Sequence, residues 1–182
     1  LLVRAKELAL GQSSSAANGA DTRVMVAEEI KHIISEVNSI ANRRLGDRFI
    51  FSGYKTDTLP FDQVGNYKGD DGKIMIEVQK DVFVGMNLPG RDVFLGSAKP
   101  KSSAPIEGGG PELAISEYRG SQTDDIFRIL DGLRIGLMTN DVDQIRSTLE
   151  PLDRARDRMI SARAQVGARN SGIDTAIANM AK

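Results

Sequence analysis

Few side chains in this sequence could do chemistry, and their spacing limits what that chemistry could be. His32 is the sole histidine. It stands next to Lys31 with no nucleophile or ligand cluster around it, so it reads as a surface side chain rather than a general base. Asp70, Asp71 and Glu77 bring three carboxylates together. They lack the alternating acidic spacing of a calcium loop, and a solvated turn is the reading they support. Gly69-Asp70-Asp71-Gly72-Lys73 has the look of a phosphate loop. The first required glycine would fall on Tyr67, and Ile74 stands where a magnesium-binding Ser or Thr is needed, so the match fails. Gly108-Gly109-Gly110 neither follows a strand nor opens a helix and reads as a linker. Cysteine is absent, which removes disulfides, thiol catalysis and Cys-bearing zinc sites together. No catalytic, cofactor-binding or metal-ligating residue is therefore expected, and no cofactor.

The composition excludes further classes. With 24 Lys+Arg against 25 Asp+Glu the formal net charge is −1. That leaves no basic excess to neutralise phosphates, so no nucleic-acid partner is expected. The longest apolar runs, such as Ile74-Met75-Ile76, are too short to cross a bilayer, and no membrane partner is expected. No charged-then-apolar signal segment opens the chain. It begins Leu1-Leu2-Val3-Arg4 and ends Met180-Ala181-Lys182 in mid-pattern, and so reads as a fragment lacking both ends.

The elements that carry these residues follow from periodicity. Leu1, Leu2, Ala5, Leu8 and Ala9 form a short amphipathic helix, and the stretch from Gly11 to Gly19 breaks it. Asp21 is the expected N-cap of a second helix. Along it Val24, Ala27, Ile30, Ile33/Ile34, Val37, Ile40/Ala41 and Leu45 make one apolar stripe ending at Gly46. That helix would be about 39 Å long. Phe49-Ile50-Phe51 reads as a strand, and Asp70-Asp71-Gly72 as the turn of a hairpin joining residues 66–68 to 73–78. Val82 to Leu88 gives another strand, closed by Pro89-Gly90. Residues 96–111 read as a mobile loop, with a short strand over Leu113–Tyr118 after it.

Helix returns at Asp124, with Ile126, Ile129/Leu130, Leu133 and Leu137 at helical spacing. Beyond it Ile145, Leu152, Met159, Val166, Ile173 and Met180 recur every seven residues, beside a second line through Val142 and Leu149. Such a seam keeps a helix against one long partner. Residues 141–182 as a single helix would reach about 63 Å, with a kink at Pro151. The expectation is that this helix packs lengthwise against helix 21–46. Arg146, Arg154, Arg156, Arg158, Arg163 and Arg169 on the last helix face Glu28, Glu29 and Glu36 on the early one as possible register-setting pairs, or else form a solvated face.

Three stretches carry a family resemblance. Leu1 to Gln12 (LLVRAKELALGQ) resembles the "RxRELAxQ" helix end of flagellins, and Ser161 to Asn170 resembles their "SxRAxxGAxxNR" segment. Gly46 to Phe61 (GDRFIFSGYKTDTLPF) is similar to the "GxYLFSGxxTxxxPF" hairpin of the hook-associated junction branch of the bacterial flagellin superfamily. Flagellins proper carry a "TxFNGxxLL" pattern there, which this chain lacks. One departure is Asn170-Ser171-Gly172, where the family has "NR"; its Gly costs about 1 kcal/mol in a helix interior. Tyr67 to Gly72 followed by Asn87 to Phe94 also looks like that family's β-region, and together the matches span nearly the whole chain except 96–120.

The resemblance implies an α+β fold. An elongated antiparallel, coiled-coil-like rod would comprise 1–46 plus 121–182. A small β-rich insertion would occupy 47–120, as in the first two outer domains of flagellin. Rod packing would fall to Val24, Ala27, Ile30, Ile34, Val37 and Ala41, against Ile145, Leu149, Leu152, Met159, Val166 and Ile173. The hairpin motif would be Phe49, Phe51, Ser52, Gly53, Thr56, Pro60 and Phe61. It further implies a non-enzymatic subunit joining hook to filament, exported by the flagellar type III route and lying outside the cell. Its implied partners are copies of itself, a second hook-associated protein, flagellin and, through the missing ends, an export chaperone. A filament flagellin is the alternative; a weaker one is a module whose β-insert contacts a host or immune receptor, with Arg4 and Glu7 where flagellins present such a helix.

Overall fold

The computed structural model describes residues 1–14, 19–79, 81–96 and 124–180, without the side chains of 79, 179 and 180. The loop read over 96–111, the strand read over 113–118 and the Met180 side chain lie outside the described residues, save Gly96. Helix α1 spans Leu2–Gln12 and α2 spans Ala20–Ala41. Strands β1 (Arg44–Leu45) and β2 (Arg48–Phe49) form one hairpin, and β3 (Met75–Gln79) and β4 (Val82–Gly85) a second. A π-helical turn covers Arg91–Leu95. The chain then returns to helix in α3 (Ile126–Met138), α4 (Val142–Ser147) and α5 (Leu149–Met180). The class is α+β, as expected.

Several boundaries move, each for a local reason. The cap of α2 is Gly19, which contributes no side-chain bond; Asp21 lies inside the first turn, where its charge still meets the positive end of the helix dipole. Leu45 leaves the helix for β1, because Gly46 turns the chain at φ +61. Phe51 lies beyond the two-residue strand β2. Asp70-Asp71-Gly72 is not a hairpin turn. Asp70 Oδ1 accepts from Tyr54 N (2.7 Å) and Gly72 N (2.8 Å), which folds this stretch into a side-chain-organised loop. Pairing is displaced to β3 and β4, with Asp81 at φ +64 just before β4.

The single helix expected over 141–182 is two helices. Pro151 has no N–H to donate to the carbonyl four residues back, so the chain breaks at Thr148, and the proline sits in the first turn of α5. The new start is organised by Leu152 N bonding Thr148 O at 3.0 Å. Asp125 and Asp141 cap α3 and α4 with their carboxylates, from Phe127 N at 2.9 Å and Gln144 N at 2.9 Å respectively.

Packing also differs from the expected pairing. α2 lies along α3, and α1 lies along α5 and α4; α2 and α5 meet only marginally. Lys6 bonds Asp153 on α5 (2.6 Å) and Arg146 on α4 bonds the Ser13 carbonyl (3.0 Å), so α1 runs antiparallel to α4 and the start of α5. Arg23 bonds Asn140 while Val37 and Ile126 share one groove, so α2 and α3 are antiparallel too. The four long helices form a bundle with α2 and α5 diagonal. Ala5, Ala9, Ile30, Leu130, Leu133, Ile145 and Ala155 are all fully buried in one core. A seven-residue repeat shows which face of a helix is apolar; it does not say which neighbour covers it.

Candidate functional site: the bundle and its β-rich insert

The hairpin motif folds into the joint between bundle and insert. Phe61 is wholly buried, with its ring 5.1 Å from Tyr67, 5.2 Å from Phe94 and 5.3 Å from Phe127. These edge and tilted arrangements suit the quadrupoles of aromatic rings. One ring from α3, one from the π-helical turn and two from the loop thus meet at a single node. Phe51 packs edge-on against Phe94 at 5.2 Å.

Backbone bonds hold the motif in place. Phe61 N donates to Asn42 Oδ1 (2.9 Å), and Asn42 Nδ2 returns a bond to Phe61 O (3.0 Å). Asn38 Nδ2 donates to Asp62 O at 2.7 Å. Two asparagines at the end of α2 therefore satisfy carbonyls and an amide that the loop would otherwise leave unpaired. Ser52 is buried and Pro60 closes the turn beside it; Phe49 N bonds Thr56 O at 2.8 Å. Gly53 takes φ +74, and a β-carbon there would meet Asp70, so a side chain would be strained and would collide.

Tyr67 completes the node. Its hydroxyl lies 2.6 Å from Asp70 O and 2.9 Å from Phe51 O, and its single proton is shared between them. Burial pushes the phenol up to about 12. Asp70 moves the other way, held below the usual carboxylate range first by the Tyr54 amide. Asp125 is raised by burial despite its two capping bonds.

Residues expected to pack the rod divide into two groups. Ala27, Ile30, Val37, Ala41, Ile145 and Leu152 are buried, and Ile34, Leu149 and Met159 pack partly against the same core. Ile173 is half-buried. Val24 (49% exposed) and Val166 (43% exposed) are not packed. Val24 lies one turn above the covered stripe of α2, and Val166 lies where α5 has run beyond the end of α1. The charge pairing expected between Glu28, Glu29, Glu36 and the late arginines does not form. Glu28 bonds Lys31, Glu29 bonds Arg4, and Arg154 bonds Asp124 and Glu150. Diagonal placement of α2 and α5 explains it.

The structural roles of Arg23, Asn140 and Arg158 escaped the sequence reading because polar residues on or beside helices read as solvated. Arg23, 3% exposed, bonds Asn140 and the carbonyls of Gln12 and Ser14. Arg158 donates to the Val93, Phe94 and Asp124 carbonyls, at 2.9, 3.2 and 2.6 Å. Its only advance signal was a charge amid a buried stripe.

His32 is exposed. Among the described residues no three His, Cys, Asp or Glu side chains gather as a metal site, and no helix is long and apolar enough to span a membrane. The geometry offers a helical bundle, an aromatic joint and apolar surface along α1 and α5, where Val3, Leu10, Ile160 and Ile177 are exposed. An open groove of about 390 Å³ between Leu1, Leu2, Ile40, Met159 and Ile160 continues that surface.

No protein-family model matches the chain. Flagellar hook-associated protein 3 of Salmonella typhimurium is 27% identical over 85% of this chain and 49% of its own length. The chain thus spans about half of the curated relative it matches. The crystal structure of Xanthomonas campestris FlgL superposes with a TM-score of 0.76 at 20% identity, covering 98% of this chain and 84% of that one. The flagellar junction protein FlgL of Legionella pneumophila gives 0.69 at 16% identity, covering 98% and 82%. The chain therefore has the FlgL fold, and in sequence it is similar to a flagellar hook-associated protein.

Proposed function

We propose that this chain is the rod-and-insert part of a non-enzymatic subunit at the junction between flagellar hook and filament. The observation that carries the reading is the Gly46–Phe61 motif, similar to the hook-associated pattern, folded as the joint of a bundle that superposes on FlgL with a TM-score of 0.76. In this role copies of the whole protein stack through their helical rods, and the apolar surface along α1 and α5 is what such stacking would bury. The rod residues from Val24 to Ile173 divide accordingly. Buried ones hold the subunit together, and exposed Val166 faces a neighbour. The insert, on residues 47–120, stands away from the stack.

The neighbours follow from the position: a second hook-associated protein on the hook side and flagellin on the filament side. An export chaperone would hold the ends before assembly. The protein would leave the cell by the flagellar type III route and function outside it. Deleting the gene for the whole protein tests this. The expected phenotype is complete hooks, no attached filaments and flagellin shed into the medium. Retained filaments of normal length would overturn the proposal, and loss of flagellin itself would instead make the protein the filament subunit.

A further inference from the structure

The β3–β4 hairpin is held to the rod differently from everything else in the insert. The π-helical turn is anchored by burial, with Val93 and Phe94 in the core. The hairpin has no such anchor: Met75, Val82 and Phe83 are each about half exposed. Its base is tied by polar bonds alone: Asn87 Oδ1 accepts from Ile74 N (2.8 Å), Asn87 Nδ2 donates to Gly72 O (2.9 Å) and Gly53 O (3.4 Å), and the Tyr54 hydroxyl donates to Lys73 O (3.0 Å). β3 lies against α5, and the polar tie to the rod there is Arg169. Its Nη1 donates to Gly85 O at 3.1 Å and Asn87 O at 3.0 Å, at the end of β4. Arg158 lies eleven residues earlier, which is close to three whole helical turns, so both guanidinium groups leave α5 on one face. Both grip backbone carbonyls rather than carboxylates.

We infer that Arg169 is a releasable latch that sets the angle of the β3–β4 hairpin against the rod, with the chain at Asn87–Pro89 as pivot. Release leaves the aromatic node and the bundle untouched, because no described residue from Gly72 to Asn87 is buried. The inference stands on the hairpin's own contacts and is independent of where the protein assembles.

The chain has no cysteine, so a pair of spin labels can be placed cleanly at exposed positions, F83C on β4 and S161C on α5. Pulsed electron–electron resonance then reads the hairpin-to-rod distance. The expected result is one narrow distribution in the labelled parent and in R163A, whose arginine makes no hydrogen bond to the hairpin among the described residues. R169A should broaden it at least twofold at an unchanged helical melting temperature, and R169K should restore part of the narrowing. A parent-like width in R169A, or a parent already as broad as R169A, would overturn the latch. A lowered melting temperature in R169A would also overturn it, by making Arg169 part of the fold's support.

Discussion

Phe61→Ala removes the ring on which bundle and insert converge. Phe61 is 0% exposed and touches three other rings at centroid distances between 5.1 and 5.3 Å. Truncating a fully buried Phe costs about 3–5 kcal/mol, counting lost transfer energy and the cavity left behind. The three ring pairs place this site at the upper end, since each contributes about 0.5–1.5 kcal/mol beyond burial. A domain of this size loses about 2–4 °C of melting temperature per kcal/mol, so the expected fall is roughly 6–20 °C. Far-ultraviolet circular dichroism at 222 nm follows the helices, and tyrosine near-ultraviolet signal follows the node, since there is no Trp to interfere. Both transitions should move together. If the helices of F61A melt at the parent temperature while the tyrosine signal is lost, the ring does not join the two parts, and the reasoning fails.

Other expected outcomes follow from burial and charge. Leu152→Ala, at a side chain 1% exposed, should cost about 2–5 kcal/mol in urea unfolding, and Val166→Ala less than about 0.5 kcal/mol; equal losses would contradict the described packing. Asp125→Ala removes a working cap and should cost about 1 kcal/mol. Asp125→Asn keeps an acceptor without the buried charge. Because the folded carboxyl is raised, its ionisation weakens the fold, and that penalty disappears as pH falls below the carboxylate range. The asparagine variant should therefore be no less stable than the parent at neutral pH, with any advantage lost in acid. For Tyr67 the sign is the same: stability is complete below pH 10 and falls as pH rises toward about 12. Spectrophotometric titration should show a phenolate step near 12 that is missing in Tyr67→Phe.

The apolar stripes were legible in the sequence wherever local periodicity alone decides the matter. Ile30, Val37, Leu130, Leu133, Ile145 and Leu152 all lie on the faces their spacing indicates, and all are buried. Pairing was not legible, because a stripe on α2 is satisfied equally well by α3 or by the last helix. The break at Thr148 was hidden for a different reason. The seven-residue repeat continues across it, and the missing amide of Pro151 decides the geometry. In the insert, Asp70-Asp71-Gly72 has turn composition, but Asp70 spends its carboxylate on the amides of Tyr54 and Gly72. The strands then pair one step later, around Asp81. Of the joint, the motif from Phe49 to Phe61 was visible; its partners Tyr67, Phe94 and Phe127 come from distant segments that no local pattern connects.

The most direct measurement of the proposed role is where the whole protein sits on a flagellum. Immunogold electron microscopy with antibody against the exposed face of the insert should place label in a narrow band where hook meets filament. Label spread along the length of the filament would contradict the account.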